Sequence, residues 1–339
     1  MSTSTPHLAS SGAIEIDSDF HQQDSGLSSD DSSLYLSSTQ SLASSIHQHI
    51  FENGRRYHTY YGPDKNLLPT DEAEQDRLDL HNEIILRLRD GRLCDAPIAT
   101  NPHRILDIGT GTGIWAIDMA DKYPSAEVLG IDISPIQPSW VPPNCRFEMD
   151  DVELEWTHQA GTFDLIHARN IAPSISNWPK VMAEMYRCTK PGGWVELSEF
   201  GAELFSDDGT VKPDSPLNVA VQLTKKAMAA IDRPFPVAGT LKKRLEDAGF
   251  VDVHERIYRQ PIGPWPKDPV LKHTGAMALV MLETGIEAYS LAAWTRILKM
   301  DPEDSKGKIK ASLKAALDKR VHSYNHFYVA YGRRPDEQD

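Results

Sequence analysis

The chain is poor in cysteine. Cys94, Cys145 and Cys188 are its only three among 339 residues, and no two lie close in sequence. That excludes a disulfide framework and a four-cysteine zinc site, and free thiols fit a reducing compartment. Basic residues are in deficit as well. Against 49 Asp and Glu stand 35 Lys and Arg, for a formal net charge of −14. A protein that grips nucleic acid unaided normally presents a basic face, so direct nucleic-acid binding is not expected. Long apolar runs are missing too. The longest candidate, residues 276–282, is far shorter than a membrane span, so no membrane association is expected. Histidines and cysteines do not cluster at ligand spacing, and no metal is expected. The opening residues show neither the charged start nor the apolar run of a secretory leader, which points to cytoplasm, nucleus or both.

A hydrophobic fraction of 40% is enough for one large core. Residues 1–45 are rich in Ser, Thr, Gln and Asp and are expected to form a disordered tail, a candidate docking segment for a regulatory protein partner. Residues 46–100 read as an N-terminal helical lid segment. Within it, Leu78, His81, Ile85 and Leu88 recur at helical spacing in an amphipathic helix over 71–89. Residues 101–200 alternate short apolar runs with helical stretches. Strands are expected at 104–108, 127–131, 145–149, 163–167 and 194–199, with helices at 112–122 and 179–188. That alternation implies a doubly wound α/β fold with a mostly parallel sheet. Residues 201–335 are expected to add helical, substrate-side insertions to the same domain. A strand at 251–258, a Pro-rich turn at 261–269 and a closing strand at 326–331 belong to this part.

The strongest signal is Asp107-Ile108-Gly109-Thr110-Gly111-Thr112-Gly113, after a strand and before a helix. Alternating glycines permit a tight turn and close backbone approach to a ligand, and a helix start offers free amides. Asp132 ends the next strand, about 25 residues on, where a carboxylate can hold a ribose diol. A dinucleotide site would carry its third glycine one place later, where this chain has Ile114. A nicotinamide-dependent oxidoreductase is therefore the weaker alternative.

The D-x-G-x-G-x-G pattern resembles class I S-adenosylmethionine-dependent methyltransferases, which implies a Rossmann-like seven-stranded sheet with an antiparallel closing strand. The resemblance implies that S-adenosyl-L-methionine is the cofactor. The loop of Asp107, Gly109, Thr110, Gly111 and Gly113 would hold its methionine moiety and Asp132 its ribose. Asp150 and Asp151 would lie near its adenine amine. Residues 163–169 match that family's fourth strand, and Lys190-Pro191-Gly192-Gly193-Trp194 the turn before its fifth. Flanking motifs are similar to the LaeA-like fungal methyltransferases: Tyr57-His58-Thr59-Tyr60-Tyr61, Leu68-Pro69-Thr70-Asp71-Glu72, Gly113-Ile114-Trp115 and Tyr331-Gly332-Arg333-Arg334-Pro335. That likeness implies a role in fungal secondary metabolism, as a tailoring enzyme or as a regulator that retains the cofactor fold without robust catalysis.

Methyl transfer needs an aligned nucleophile and, for a protonated acceptor, a base. His167, ending a strand at the carboxyl edge, is the candidate base, and packing against backbone is the competing role. Glu199, ending the fifth strand, is a candidate for holding an amine. Arg169 is a candidate contact to the cofactor or to a substrate carboxylate. Tyr57, Tyr60 and Tyr61 are candidates for a lid, with core packing as the alternative. The acceptor is expected to be a small molecule or a protein.

Overall fold

A computed structural model of the chain describes residues 12–17 and 48–336. A hairpin comes first: β1 (His49–Glu52) and β2 (Arg55–His58) pair antiparallel. Asn53 and Gly54 turn it, both at positive φ, as a two-residue hairpin turn requires. The aromatic stretch read as lid is thus partly strand.

The main sheet holds β3 (Arg104–Ile108), β4 (Glu127–Asp132), β5 (Cys145–Met149), β6 (Phe163–Arg169), β7 (Thr189–Phe200), β8 (Val251–Ile262) and β9 (Ser323–Arg333). Ile105, Leu106 and Ile108 of β3 are fully buried, as a strand covered on both faces demands. The spatial order is β5-β4-β3-β6-β7-β9-β8, and β9 runs antiparallel to both its neighbours. The chain builds outward from β3 to β5, then crosses back to place β6 on the other side of β3. Loops leaving β3 and β6 therefore diverge, and a crevice opens at their carboxyl ends. This is the expected Rossmann-like sheet with one antiparallel closing strand.

Several strands run past their expected limits, β9 at both ends, and two of the differences have a plain physical reason. Strand β8 continues through Pro261 to Ile262, because β8 is the sheet's edge and an edge strand tolerates a proline. Residues Pro191–Gly193 bulge inside β7 rather than preceding it: Phe163 pairs with Thr189, but Leu165 already pairs with Trp194.

Among the described residues there are seven α-helices: α1 (Glu72–Leu88), α2 (Ile114–Lys122), α3 (Trp178–Cys188), α4 (Pro216–Ala229), α5 (Thr240–Asp247), α6 (Pro269–Ala292) and α7 (Pro302–Ala316). Ser215, Asp268 and Asp301 cap α4, α6 and α7, each followed by a proline whose missing N–H costs nothing there. A π-helical turn, Ala293–Ile297, extends α6. The segment Pro269–Ile297 is long and apolar enough to cross a membrane by length and composition, which corrects the expectation that no stretch has that length. Polar residues interrupt this helix, so the sequence shows only 276–282 as an unbroken apolar run. Here α6 packs against α1, α7 and β8.

Helix α1 is anchored at its far end by a buried charge cluster. Arg89, with no exposed surface, donates to Glu196 Oε1 on β7 at 2.7 Å. Glu196 Oε2 accepts the N–H groups of Asp95 and Ala96 at 2.6 and 2.8 Å.

The expected disordered tail is corrected in part. Residues 12–17 lie against the fold: Ile16 bridges Pro266, and Lys267 N–H donates to the Glu15 carbonyl at 2.8 Å. Glu15 pairs with Lys267 at 2.7 Å, and Asp17 pairs with Lys272. Alternating Ile14 and Ile16 with acids between them supplied the strand signal within a polar region. The rest of the tail reading falls outside the described residues.

Removing Glu196 should leave Arg89 buried without its main partner. Glu196→Ala is expected to cost about 3–5 kcal/mol in urea unfolding. A loss under about 1 kcal/mol, the range of an exposed pair, would show that the cluster does not hold α1.

Candidate active site

The crevice is floored by the loop between β3 and α2. Gly109, Gly111 and Gly113 all have positive φ, at 66°, 58° and 82°. Their surroundings differ. A Cβ on Gly109 would lie 2.2 Å from Ile171, and one on Gly113 2.3 Å from the Phe147 ring. One on Gly111 would meet only Leu78, at 3.5 Å. Gly109 and Gly113 thus allow the loop to pack, while Gly111 keeps the floor open. Gly113, expected to touch the cofactor, does not line the crevice.

Asp107 ends β3 and ties the loop to the sheet. Its Oδ2 accepts from the Thr110 hydroxyl at 2.6 Å, and its Oδ1 lies 2.7 Å from His167 Nδ1. Asp132 ends β4. It accepts the N–H groups of Gly111 and Ser134 at 2.8 and 2.9 Å, leaving lone pairs toward the crevice. Burial pushes its pKa up to about 6, against the pull of those two bonds.

Asp150 and Asp151 reach the crevice from the end of β5, with the apolar faces of Ile133, Ile136 and Val152 beside them. Lys65 bonds Asp151 and Glu153, at 2.7 and 2.8 Å, and so draws the N-terminal segment over this end.

Helix α1 closes the opposite side with Glu74, Leu78, His81, Asn82 and Ile85. Asp79 accepts the Thr112 hydroxyl at 2.6 Å, fastening this helix to the glycine loop. Arg169, at the end of β6, donates to Asn82 at 2.9 Å and lines the crevice as expected of a cofactor or substrate contact.

Three expectations are corrected. His167 is fully buried, stacks on Trp115 at 3.7 Å between centroids and does not line the crevice. Burial holds its pKa below the usual value, although Asp107 opposes this. It braces β3 against β6 and cannot meet an acceptor. Tyr57 is buried in a separate apolar cluster beneath the Arg296 guanidinium and is no lid. Tyr60 is largely exposed, and its ring meets Tyr61 edge-on; neither lines the crevice.

Glu199 accepts the N–H groups of Ile171 and Ala172, both at 2.9 Å, so it shapes the loop after β6. Burial raises its pKa to about 8, against the pull of the nearby Arg244 guanidinium, and the side chain lines the second cavity described below.

A second cavity, which the sequence did not disclose, adjoins the first. Leu204, Leu217, Val221, Phe235, Leu282 and Ile286 are among its walls, contributed by α4, α6 and their flanking segments. His81, Asn170 and Tyr289 line both cavities and stand where the two adjoin. His81 had only its place in the apolar pattern of α1 to mark it. Its ring packs 4.5 Å from Phe200, and its Nε2 has no partner among the described residues. Burial, with Arg77 and Arg169 nearby, holds its pKa well below the usual value, so the imidazole is neutral. Among the described residues no group of three or more His, Cys, Asp or Glu could hold a metal ion.

A family model described as a methyltransferase domain matches residues 74–255. Methyltransferase pytC of Aspergillus terreus is 38% identical over 300 residues, covering 88% of this chain and 92% of that protein. The secondary metabolism regulator LAE1 of Cochliobolus heterostrophus is 39% identical, covering 84% and 95%. The protein-methionine methyltransferase laeA of Emericella nidulans is 35% identical, covering 84% and 76%. Among solved structures, the YcgJ protein of Bacillus subtilis matches with a TM-score of 0.46 and 18% identity, over 76% of this chain and 99% of that one. The family model and two of the three relatives are described as methyltransferases, and nothing supports the nicotinamide-dependent reading.

Two predictions follow from the geometry. Asp132→Ala should weaken S-adenosylhomocysteine binding at least about tenfold near neutral pH, by loss of hydrogen bonds to a charged acceptor. In the wild type, affinity should fall as pH drops through about 6, because the protonated carboxyl loses an acceptor; the variant should lack that fall. Calorimetric titration across pH, with circular dichroism to confirm folding, measures both, and equal affinities in two folded proteins would refute the role. His167→Ala should lower thermal stability, by about 1–3 kcal/mol for the stranded Asp107 acceptor, while a folded fraction retains cofactor affinity. Unchanged stability with lost turnover would restore His167 as a base.

Proposed function

We propose that this chain, which belongs to the S-adenosylmethionine-dependent methyltransferases, methylates a small, largely apolar molecule seated in the second cavity. The carrying observation is that an apolar chamber adjoins the cofactor crevice at His81, Asn170 and Tyr289, which line both.

S-adenosylmethionine is the cofactor, and the crevice has the features such a molecule needs. Gly111 leaves room for close backbone approach, and Asp132 offers acceptors suited to a ribose diol. Asp150 and Asp151 beside Ile133 and Val152 suit a flat base carrying an amine. Asp107, Gly109, Thr110 and Arg169 would complete the methionine side. When bound, the cofactor supplies an already activated methyl group. The chain's own task is to orient the acceptor and exclude water.

Where the cavities meet, His81 is neutral, and its Nε2 is buried without a partner among the described residues. Tyr289, with the Arg77 guanidinium 5.1 Å from its ring, forms the facing wall. Arg77 is itself neutralised by Glu74 at 2.6 Å, so this place carries no unpaired cation from that residue. A small molecule fits this enclosed arrangement better than a protein side chain, although one relative is named for methionine in proteins.

Supplying radiolabelled S-adenosylmethionine and a cell extract tests this reading. Label should appear in the organic-soluble fraction. Val221→Trp, which fills the chamber from α4, should reduce that label at least about tenfold while S-adenosylhomocysteine affinity stays within about twofold, as expected for separate sites. Label confined to precipitated protein, and unaffected by the substitution, would overturn it in favour of a protein acceptor.

A further inference from the structure

A hydroxyl group that receives a methyl must give up its proton, and the chamber walls offer few places for it. Among the residues lining the chamber, only His81, Glu199 and Tyr289 titrate. His81 Nε2 is sealed in protein. Burial raises the Tyr289 phenol, which therefore already carries its proton at neutral pH. Glu199 is the group that remains.

The two oxygens of Glu199 are placed differently. Oε1 accepts the N–H groups of Ile171 and Ala172, both at 2.9 Å. Oε2 takes no hydrogen bond from a described residue, yet it is not among the buried side-chain atoms closed off by protein, so it opens on the chamber that Glu199 lines. Asn170, which lines both cavities, brackets this residue. Its N–H donates to the Ser198 carbonyl at 2.9 Å, and its Oδ1 accepts from the Phe200 N–H at 3.2 Å. Glu199 thus stands at the end of the chamber nearest the cofactor crevice. Its charged and titratable neighbours are Arg244 of α5, Tyr289 of α6, His81 of α1 and Tyr328, its cross-strand partner on β9. Burial raises Tyr328 as well, and His81 is neutral, so Arg244 is the one charge among them. The Arg244 guanidinium lies over the Trp178 ring at 3.9 Å and makes no ion pair with Glu199 among the described residues.

We infer that Glu199 is the proton acceptor for a hydroxyl group on the methyl acceptor, which it engages through Oε2. As the hydroxyl oxygen forms its bond to the methyl carbon, the carbon–sulfur bond breaks with the electron pair going to sulfur. The hydroxyl proton passes to Glu199 Oε2 and returns to solvent once the product leaves. The ligand class is an uncharged, mainly apolar molecule with a phenolic or enolic hydroxyl at the end facing the crevice. A phenol titrates at about 10, and Glu199, raised to about 8, is close enough to draw its proton. An aliphatic alcohol holds its proton too firmly, and a cationic amine would be repelled by Arg244 behind the carboxyl. This rests on the reading that the chamber holds the methyl acceptor.

The test uses the full chain saturated with S-adenosylhomocysteine and two probes, 2-naphthol and its methyl ether, 2-methoxynaphthalene. Only the naphthol has a proton to share. Glu199 becomes a charged acceptor as pH rises through about 8. Titration calorimetry at pH about 6.5 and about 8.5 should therefore show the ratio of naphthol to ether affinity rising at least about fivefold, from the hydrogen bond to a charged group. Glu199→Gln keeps a carbonyl for the two loop N–H groups but cannot ionise. It should match the wild type at the lower pH and show no rise. In the labelled-extract assay the same variant should lose about tenfold or more of the organic-soluble label, while S-adenosylhomocysteine affinity stays within about twofold, as expected for separate sites. Val221→Trp should abolish binding of both probes. A ratio that does not rise in the wild type, a rise that persists in Glu199→Gln, or undiminished label in that variant overturns the role of Glu199 alone. Absence of organic-soluble label in the wild type, or probe binding that survives Val221→Trp, overturns the chamber as the acceptor's seat, and the role of Glu199 with it.

Discussion

The ion pair between Arg89 and Glu196 fixes α1, the helix that carries His81 to both cavities. Glu196 sits midway along β7 with no exposed surface, and its second oxygen gathers the two N–H groups of Asp95 and Ala96. The chain just after α1 is thus fastened to the sheet interior. At the other side, Asp79 holds the glycine loop through Thr112. Between these attachments α1 can hold Leu78, His81, Asn82 and Ile85 against the crevice at fixed depth. A buried pair of this sort adds little net stability over an apolar substitute, but it specifies one position for the helix. Position is what a site divided between two cavities requires.

Asp107 performs a similar service at smaller scale. One carboxylate joins the loop, through Thr110, to the neighbouring strand, through His167. The polar residues of the strand ends are therefore used in two ways. Asp132 and Arg169 face the crevice, whereas His167 and Glu199 hold the backbone that shapes it.

The order of strands and helices from residue 104 to 200 was legible in the sequence, because buried parallel strands read as apolar runs and glycine marks the loop between β3 and α2. Asp132 was legible from its offset behind that loop. The roles of His167 and Tyr57 were not. Strand-end position shows which edge a residue occupies, but not whether Trp115 or the Arg296 side chain covers it. The second cavity was invisible for a related reason. Its lining comes from α4, α6, β8 and β9, which lie far apart in sequence and carry no shared motif. His81 looked like one more member of an apolar stripe.

The division of labour between the cavities bears on how such a protein diversifies. Beyond residue 200, Tyr289 is the sole lining residue that reaches the cofactor crevice. The remaining walls of the chamber supplied by that half of the chain touch only the second cavity. Substitutions there can reshape what is accepted while the glycine loop, Asp132 and the acidic pair after β5 stay untouched. Inheritance of the donor-binding half and drift of the receiving half are thus mechanically uncoupled, with α1 and Tyr289 as the hinge of constraint between them.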